Sequence, residues 1–169
     1  MEQVPEIEKN NLSLDEIYKL LYQQINGLLN PNEPTVTNLS NVVAALKQTF
    51  EKISWVGFYL SKEEMLYLGP FQGKVACTRI KFGNGVCGTS ALKKETQVVP
   101  NVHEYPGHIA CDVETNSEIV IPIIFNNNVY GVLDLDSTQF SAFDETDKIW
   151  LEKICELIAN KLELKSFLI

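Results

Sequence analysis

Glu118-Ile-Val-Ile-Pro-Ile-Ile-Phe125, then Asn126-Asn-Asn128, then Val129-Tyr-Gly-Val-Leu-Asp-Leu-Asp-Ser137 is the stretch on which the fold turns. Two apolar runs separated by residues that tolerate left-handed backbone read as an antiparallel hairpin. With Asn126–Asn128 as a three-residue loop, Phe125 faces Val129, Glu118 faces Asp136 and Val120 faces Asp134. Side chains alternate along a strand, so Asp134 and Asp136 share one face while Leu133 and Leu135 share the other. Three carboxylates are therefore expected on one patch of sheet. Like charges set opposite one another repel, and crowding raises at least one pKa. The patch calls for a cation or a shared proton; a solvated strand end is the plain alternative.

Outward from this hairpin the periodicity gives the remaining elements. Trp55-Val-Gly-Phe-Tyr-Leu60 alternates as a strand, with Trp55, Gly57 and Tyr59 on one face. Met65–Gly69 is its expected hairpin partner, Val75–Lys81 a third strand and Gln97–Val99 a short one. Ser13-Leu-Asp-Glu16 reads as a capping box opening a helix to about Leu29, with Leu14, Ile17, Leu20, Leu21, Ile25 and Leu28 as its apolar stripe. A second helix follows Pro34, a short one is expected over Thr89–Lys94, and Asp144 caps a last one reaching about Leu164. Residues 1–12 read as a lead-in and 13–169 as a single domain. Helices at both ends and antiparallel hairpins between them make an α+β fold.

The chain has 169 residues, 14 basic and 22 acidic side chains and a net charge of −8. That length suits one domain with a core of its own. The acidic balance argues against a nucleic-acid partner, because no basic cluster is present to displace counterions from phosphates. Met1–Leu20 has no signal-like apolar region. The longest apolar run, Ile119–Phe125, is far too short to span a bilayer. A cytoplasmic protein without membrane attachment is the expectation, and there thiols stay reduced.

Four cysteines then carry the chemical interest: Cys77, Cys87, Cys111 and Cys155. Cys155 falls in line with Leu151, Ile158 and Leu162 and reads as core. Gly83-Asn-Gly-Val-Cys-Gly88 matches a G-x-G-x-x-G pattern, but the surrounding hairpins are not the β-α-β repeats a dinucleotide site requires. Its glycines are better read as a sharp turn that sets Cys87 at a helix N-terminus, where the dipole would favour the thiolate. Cys111 lies in the long loop after Pro100, between His108 and Asp112, exposed and beside an imidazole. A metal set drawn from His103, His108, Cys111 and Cys77 or Cys87 matches no common zinc spacing and ranks below redox chemistry. Trp55 and Tyr59 read as core by default, or as the wall of a site for a small organic cation if they share the carboxylates' face.

Gln72-Gly-Lys-Val-Ala-Cys77, Phe82-Gly-Asn-Gly-Val-Cys-Gly88, Pro106-Gly-His-Ile-Ala-Cys-Asp112, Ser117-Glu-Ile-Val-Ile-Pro122 and Gly131-Val-Leu-Asp-Leu-Asp-Ser137 resemble the free methionine-(R)-sulfoxide reductases, which are GAF-domain enzymes. Val75 stands where that family often has proline, Asn84 where it often has arginine, and Cys155 is additional. The resemblance implies a central six-stranded antiparallel sheet with helices packed on both faces, usually in a homodimer. It makes Cys111 the nucleophile and Cys77 and Cys87 the candidates to resolve its sulfenic acid. Glu118, Asp134 and Asp136 would hold free methionine sulfoxide in a pocket shaped by Trp55 and Tyr59. It also implies no bound cofactor or metal, with thioredoxin as the external reductant. A non-catalytic GAF module that binds a small ligand is the competing expectation, and it would leave three cysteines idle.

Overall fold

Local capping chemistry starts the helices. Ser13 precedes α1 (Leu14–Leu28), its hydroxyl accepting from the Glu16 N–H while the Glu16 carboxylate accepts from the Ser13 N–H. This satisfies two of the donors that a helix start leaves open. Pro34 opens α2 (Thr35–Thr49). Asp144 and Asp147 form a second closed box at the start of α4 (Glu145–Lys161). The computed structural model of the chain describes residues 7, 9–107 and 112–162. His108 and Cys111 lie outside the described residues, as does the end of the last expected helix.

Between these helices lie β1 (Trp55–Lys62), β2 (Met65–Gln72), β3 (Arg79–Lys81), α3 (Gly85–Lys93), β4 (Gln97–Val99), β5 (Ser117–Phe125) and β6 (Asn128–Ser137). The strands form one antiparallel sheet in the order β3-β2-β1-β6-β5-β4. Two separate cores flank it. Val56, Phe58, Ile119, Ile121, Leu133 and Leu135 face α1, α2 and α4 and are fully buried there. The opposite face carries a smaller apolar cluster around α3, which includes Trp55, Tyr59, Cys87, Val120 and Val132. The expected α+β architecture, six antiparallel strands with helices on both faces, is what forms.

Four details differ from expectation. The β5–β6 turn has two residues, not three: Asn126 and Asn127 both take positive φ, 48° and 62°, as a tight hairpin turn demands. By itself that would shift every pair by one, but the register slips back between Ile123 and Ile124, skipping Tyr130, so Glu118 still faces Asp136. The third strand begins at Arg79 rather than Val75. Extending its pairing would set Ala76 opposite Pro70, which has no N–H to give. The short helix begins at Gly85, four residues early, because glycine's low intrinsic propensity hides a helix start that tertiary packing supplies. On α1, Leu20 is exposed and Tyr18 takes the buried place instead.

Tyr18 shows what joins the helices to the sheet. Its hydroxyl donates to the Asp147 carboxylate at 2.7 Å, and Lys52, just ahead of β1, reaches the same carboxylate at 2.7 Å. Asp147 is wholly buried and Lys52 partly so, its side chain 22% exposed. A buried pair adds little over an apolar replacement, yet removing one partner strands a charge. Lys52→Ala should therefore destabilise the fold by about 3 kcal/mol, seen as a lower urea midpoint with unchanged slope. An unaltered midpoint would show that Asp147 does not depend on Lys52.

Candidate active site

Three adjacent strands build the floor of a pocket on the α3 side of the sheet. Trp55, Asp136 and Glu118 lie in one cross-strand row, and Gly57, Asp134 and Val120 in the next. Trp55, Tyr59, Glu118, Asp134 and Asp136 line the same cavity, with Cys87 entering from α3. All of these were candidate site residues by sequence, and the sheet register brings them together.

The aromatic wall exists because Gly57 lacks a side chain. A Cβ there would lie 2.5 Å from both the Phe71 Cβ and the Trp55 ring. The indole instead lies flat, stacked on Phe71 at 5.5 Å and Tyr59 at 6.1 Å. Their polar atoms are spent on the roof of the pocket. Trp55 Nε1 donates to the Lys74 carbonyl (3.0 Å) and the Tyr59 hydroxyl to the Cys77 carbonyl (3.1 Å). Cys77 is thereby anchored beside the cavity, and it is disulfide-bonded. Cys87 and Cys155 are free, buried thiols.

Cys87 reaches the carboxylates through a second glycine contact. Gly83 N–H donates to the Gly88 carbonyl at 2.7 Å, and a Cβ on Gly88 would strike the Lys81 carbonyl at 2.3 Å. The turn so tightened aims the Cys87 thiol at Asp134 Oδ2, 3.2 Å away, with Glu118 Oε1 at 3.9 Å. The expectation that the helix N-terminus would favour the thiolate is overturned. Burial, and then the charges of Asp134 and Glu118, push the Cys87 thiol well above its ordinary pKa. A half-charge of helix dipole does not offset desolvation and carboxylate neighbours together.

The carboxylates hold protons for the same reasons. Glu118 and Asp134, each 6% exposed, share a side-chain hydrogen bond. Burial raises Asp134 to about 7, against the pull of hydrogen bonds from Cys87 and Glu118. Burial and the neighbouring Asp134 push Glu118 and Asp136 well above the usual carboxylate range. Asp134 Oδ1 is buried and accepts no hydrogen bond among the described residues. Among the described residues the pocket lining carries one cationic side chain, Lys74. Lys74 lines its mouth, but it is paired with Glu114 and, at 3.2 Å, with Asp112.

Lys74, Asp112 and Thr115, which hydrogen-bonds Asp136, were not picked out as site residues from sequence. They lie in irregular segments without periodicity, so only their nearness to Cys77 and Cys111 in the chain could have drawn attention to them. The cavity encloses about 550 Å3 including its open mouth. The slot is narrow, apolar on one wall and anionic on its floor. It fits a slender molecule with a cationic end. Of the expected metal set, His103 is turned outward, its Nε2 2.9 Å from Asn116 Oδ1.

A carboxyl group whose pKa is raised on folding stabilises the protein fully below its unfolded pKa, and that stability is lost as the pH climbs through the folded value. Asp134→Asn, which stays neutral, should match the wild type in melting temperature near pH 4 and gain on it progressively up to about pH 7. A difference that stays constant across that range would contradict the buried proton.

The sequence profile of the GAF domain matches residues 37–163. A free methionine-R-sulfoxide reductase of Saccharomyces cerevisiae is 49% identical over 92% of this chain and 91% of the relative. One from Escherichia coli is 43% identical over 82% of this chain and 84% of its own. The crystal structure of the Neisseria meningitidis free methionine-R-sulfoxide reductase, in complex with its substrate, superposes with a TM-score of 0.86 at 39% identity, covering 93% of this chain and 95% of that one. The fold, the pocket and these likenesses agree, and the chain belongs to the GAF-domain family of free methionine-R-sulfoxide reductases.

Proposed function

We propose that the protein reduces the R-sulfoxide of free methionine to methionine, with Cys111 as nucleophile and Cys77 as the thiol that resolves it. The observation that carries this reading is the buried pair Glu118 and Asp134, with half-buried Asp136 beside them, facing an aromatic wall. A free amino acid brings an α-ammonium to such a floor, and Asp134 Oδ1, which accepts no hydrogen bond among the described residues, is one acceptor for it. The stacked rings of Trp55 and Tyr59 offer apolar faces to the methyl sulfoxide arm and to the cation. A methionine within a polypeptide has an amide in place of the ammonium. Burying the carboxylates against it without a charged partner costs about 3–5 kcal/mol, enough for exclusion.

The chemistry follows from the thiols. Cys111 attacks the sulfoxide sulfur as a thiolate, and the oxygen is transferred to the cysteine while protons are delivered to it. Glu118 and Asp136, whose carboxyl pKa values burial and the neighbouring Asp134 raise well above the usual range, are the acids in reach. Methionine leaves, and Cys111 is left as a sulfenic acid. Cys77 condenses with it, giving a disulfide and one water. An external dithiol, thioredoxin by family likeness, restores both thiols by exchange and carries away the two electrons' worth of oxidation. Two observations favour Cys77 over Cys87 as resolving thiol. Cys77 is disulfide-bonded, whereas Cys87 is a free thiol pinned to Asp134. Asp112, next in the chain to Cys111, lines the pocket mouth, and the clip from Lys74 to Asp112 ties that point to the segment carrying Cys77. The cycle uses thiols alone and needs no bound cofactor. A homodimer working in the cytoplasm completes the reading. Among the described residues no helix is long and apolar enough to cross a membrane.

The reduced protein, mixed with excess free methionine-R-sulfoxide and no reductant, should form one methionine per chain and lose two thiols. Peptide mapping should then find Cys77 joined to Cys111. The S epimer should give no product, and Cys111→Ser should give none from either. Full turnover in Cys111→Ser, or binding of the sulfoxide without any methionine formed, would overturn the proposal; the second result would favour a ligand-binding module.

A further inference from the structure

Cys87 is the one pocket thiol the reduction leaves unused, and it stands in the company a metal ion would choose. One donor atom each from Cys87, Glu118 and Asp134 lies within 4.8 Å of the other two, and all three residues are buried. A tetrahedral zinc with sulfur at about 2.3 Å and oxygen at about 2.1 Å holds those ligand atoms roughly 3.6 Å apart. The measured sulfur-to-oxygen distances, 3.2 and 3.9 Å, straddle that value. A second, separate observation is the Asp134 Oδ1 atom, buried on the pocket floor with no hydrogen-bond donor among the described residues. Among the described residues the one cationic side chain lining the cavity, Lys74, is engaged at the mouth with Glu114 and Asp112.

We propose that this pocket is also a site for a borderline-soft divalent cation of the zinc and cadmium class, held by Cys87 Sγ and carboxylate oxygens of Glu118 and Asp134. The fourth position opens toward the cavity. Binding forms the metal–sulfur and metal–oxygen bonds and releases to solvent the Cys87 proton together with the protons held by the Glu118 and Asp134 carboxyl groups, with no oxidation or reduction. The dication supplies positive charge to the carboxylate cluster, and a coordinated thiol ionises outright. Thiolate selects zinc and cadmium over magnesium and calcium, which prefer all-oxygen sets. On the functional reading above, such an ion takes the place of the substrate ammonium, so metal and substrate exclude each other and the ion is an inhibitor. The metal site itself does not rest on that reading.

The test uses the full chain in its oxidised form, with Cys77 in its disulfide and Cys87 and Cys155 free. Cadmium chloride is titrated while the ultraviolet thiolate-to-cadmium charge-transfer band is followed. One equivalent should bind to the wild type and equally to Cys155→Ser. The band should be lost in Cys87→Ala, and Asp134→Asn should weaken binding by more than about 10-fold. Excess magnesium should leave the band in place. Absence of the band from the wild type, or its persistence in Cys87→Ala, would overturn the proposal. Should Cys87→Ala fail to fold, equal cadmium affinity in wild type and Asp134→Asn would overturn it alone. Because no turnover is measured, a chain that bound cadmium yet reduced no sulfoxide would still uphold the site.

Discussion

Gathering three carboxyl groups on one face of one hairpin, two of them buried and the third half-buried, is the constraint from which the site's properties follow. Desolvation disfavours their charged forms, and their closeness disfavours them further. The protein meets this by holding protons, with Glu118 bonded to Asp134 and Asp134 receiving the Cys87 thiol. It leaves one oxygen, Asp134 Oδ1, without a donor among the described residues. An arrangement that costs stability and is not relieved from within is what a receptor for a cationic group looks like. Strain of this kind persists only because the surrounding fold over-determines it.

That surrounding fold divides its labour by sheet face. Even-numbered β1 residues and odd-numbered residues of β5 and β6 build a dry core against α1, α2 and α4, tied down by the Tyr18–Asp147–Lys52 contact. The opposite face is left with a smaller cluster and one short helix, and there the chain can maintain a cavity. Two glycines without room for a Cβ decide its shape: Gly57 lets Trp55 lie flat, and Gly88 draws the start of α3 against the sheet. The indole and phenol then hold the roof segment that carries Cys77.

Much of this was legible in the chain itself. The alternation of Asp134 and Asp136 with Leu133 and Leu135 set the acidic face, and the parity of Trp55, Gly57 and Tyr59 put the aromatics on a shared face. The opposition of Glu118 and Asp136 was reached with a turn one residue too long, and the register slip near Ile123 compensates for it. No pattern in the chain announces that slip. The glycine-rich start of α3 and the irregular run before β3 were misread because propensity and periodicity describe local preference, whereas packing over the pocket decides there. The thiolate expected at Cys87 failed for a related reason. A helix terminus is visible in sequence, but the carboxylates facing it come from strands 31 and 47 residues further along. Lys74 and Thr115 contribute through loops, where side-chain direction has no period to reveal it.

The central claim is that the carboxylate floor recognises a free ammonium group. Calorimetric titration of Cys111→Ser, which cannot turn over, with methionine-R-sulfoxide and with its N-acetyl derivative tests this most directly. The account predicts that N-acetylation weakens binding by about 100-fold or more, the equivalent of roughly 3 kcal/mol. Equal affinity for the two compounds would contradict it.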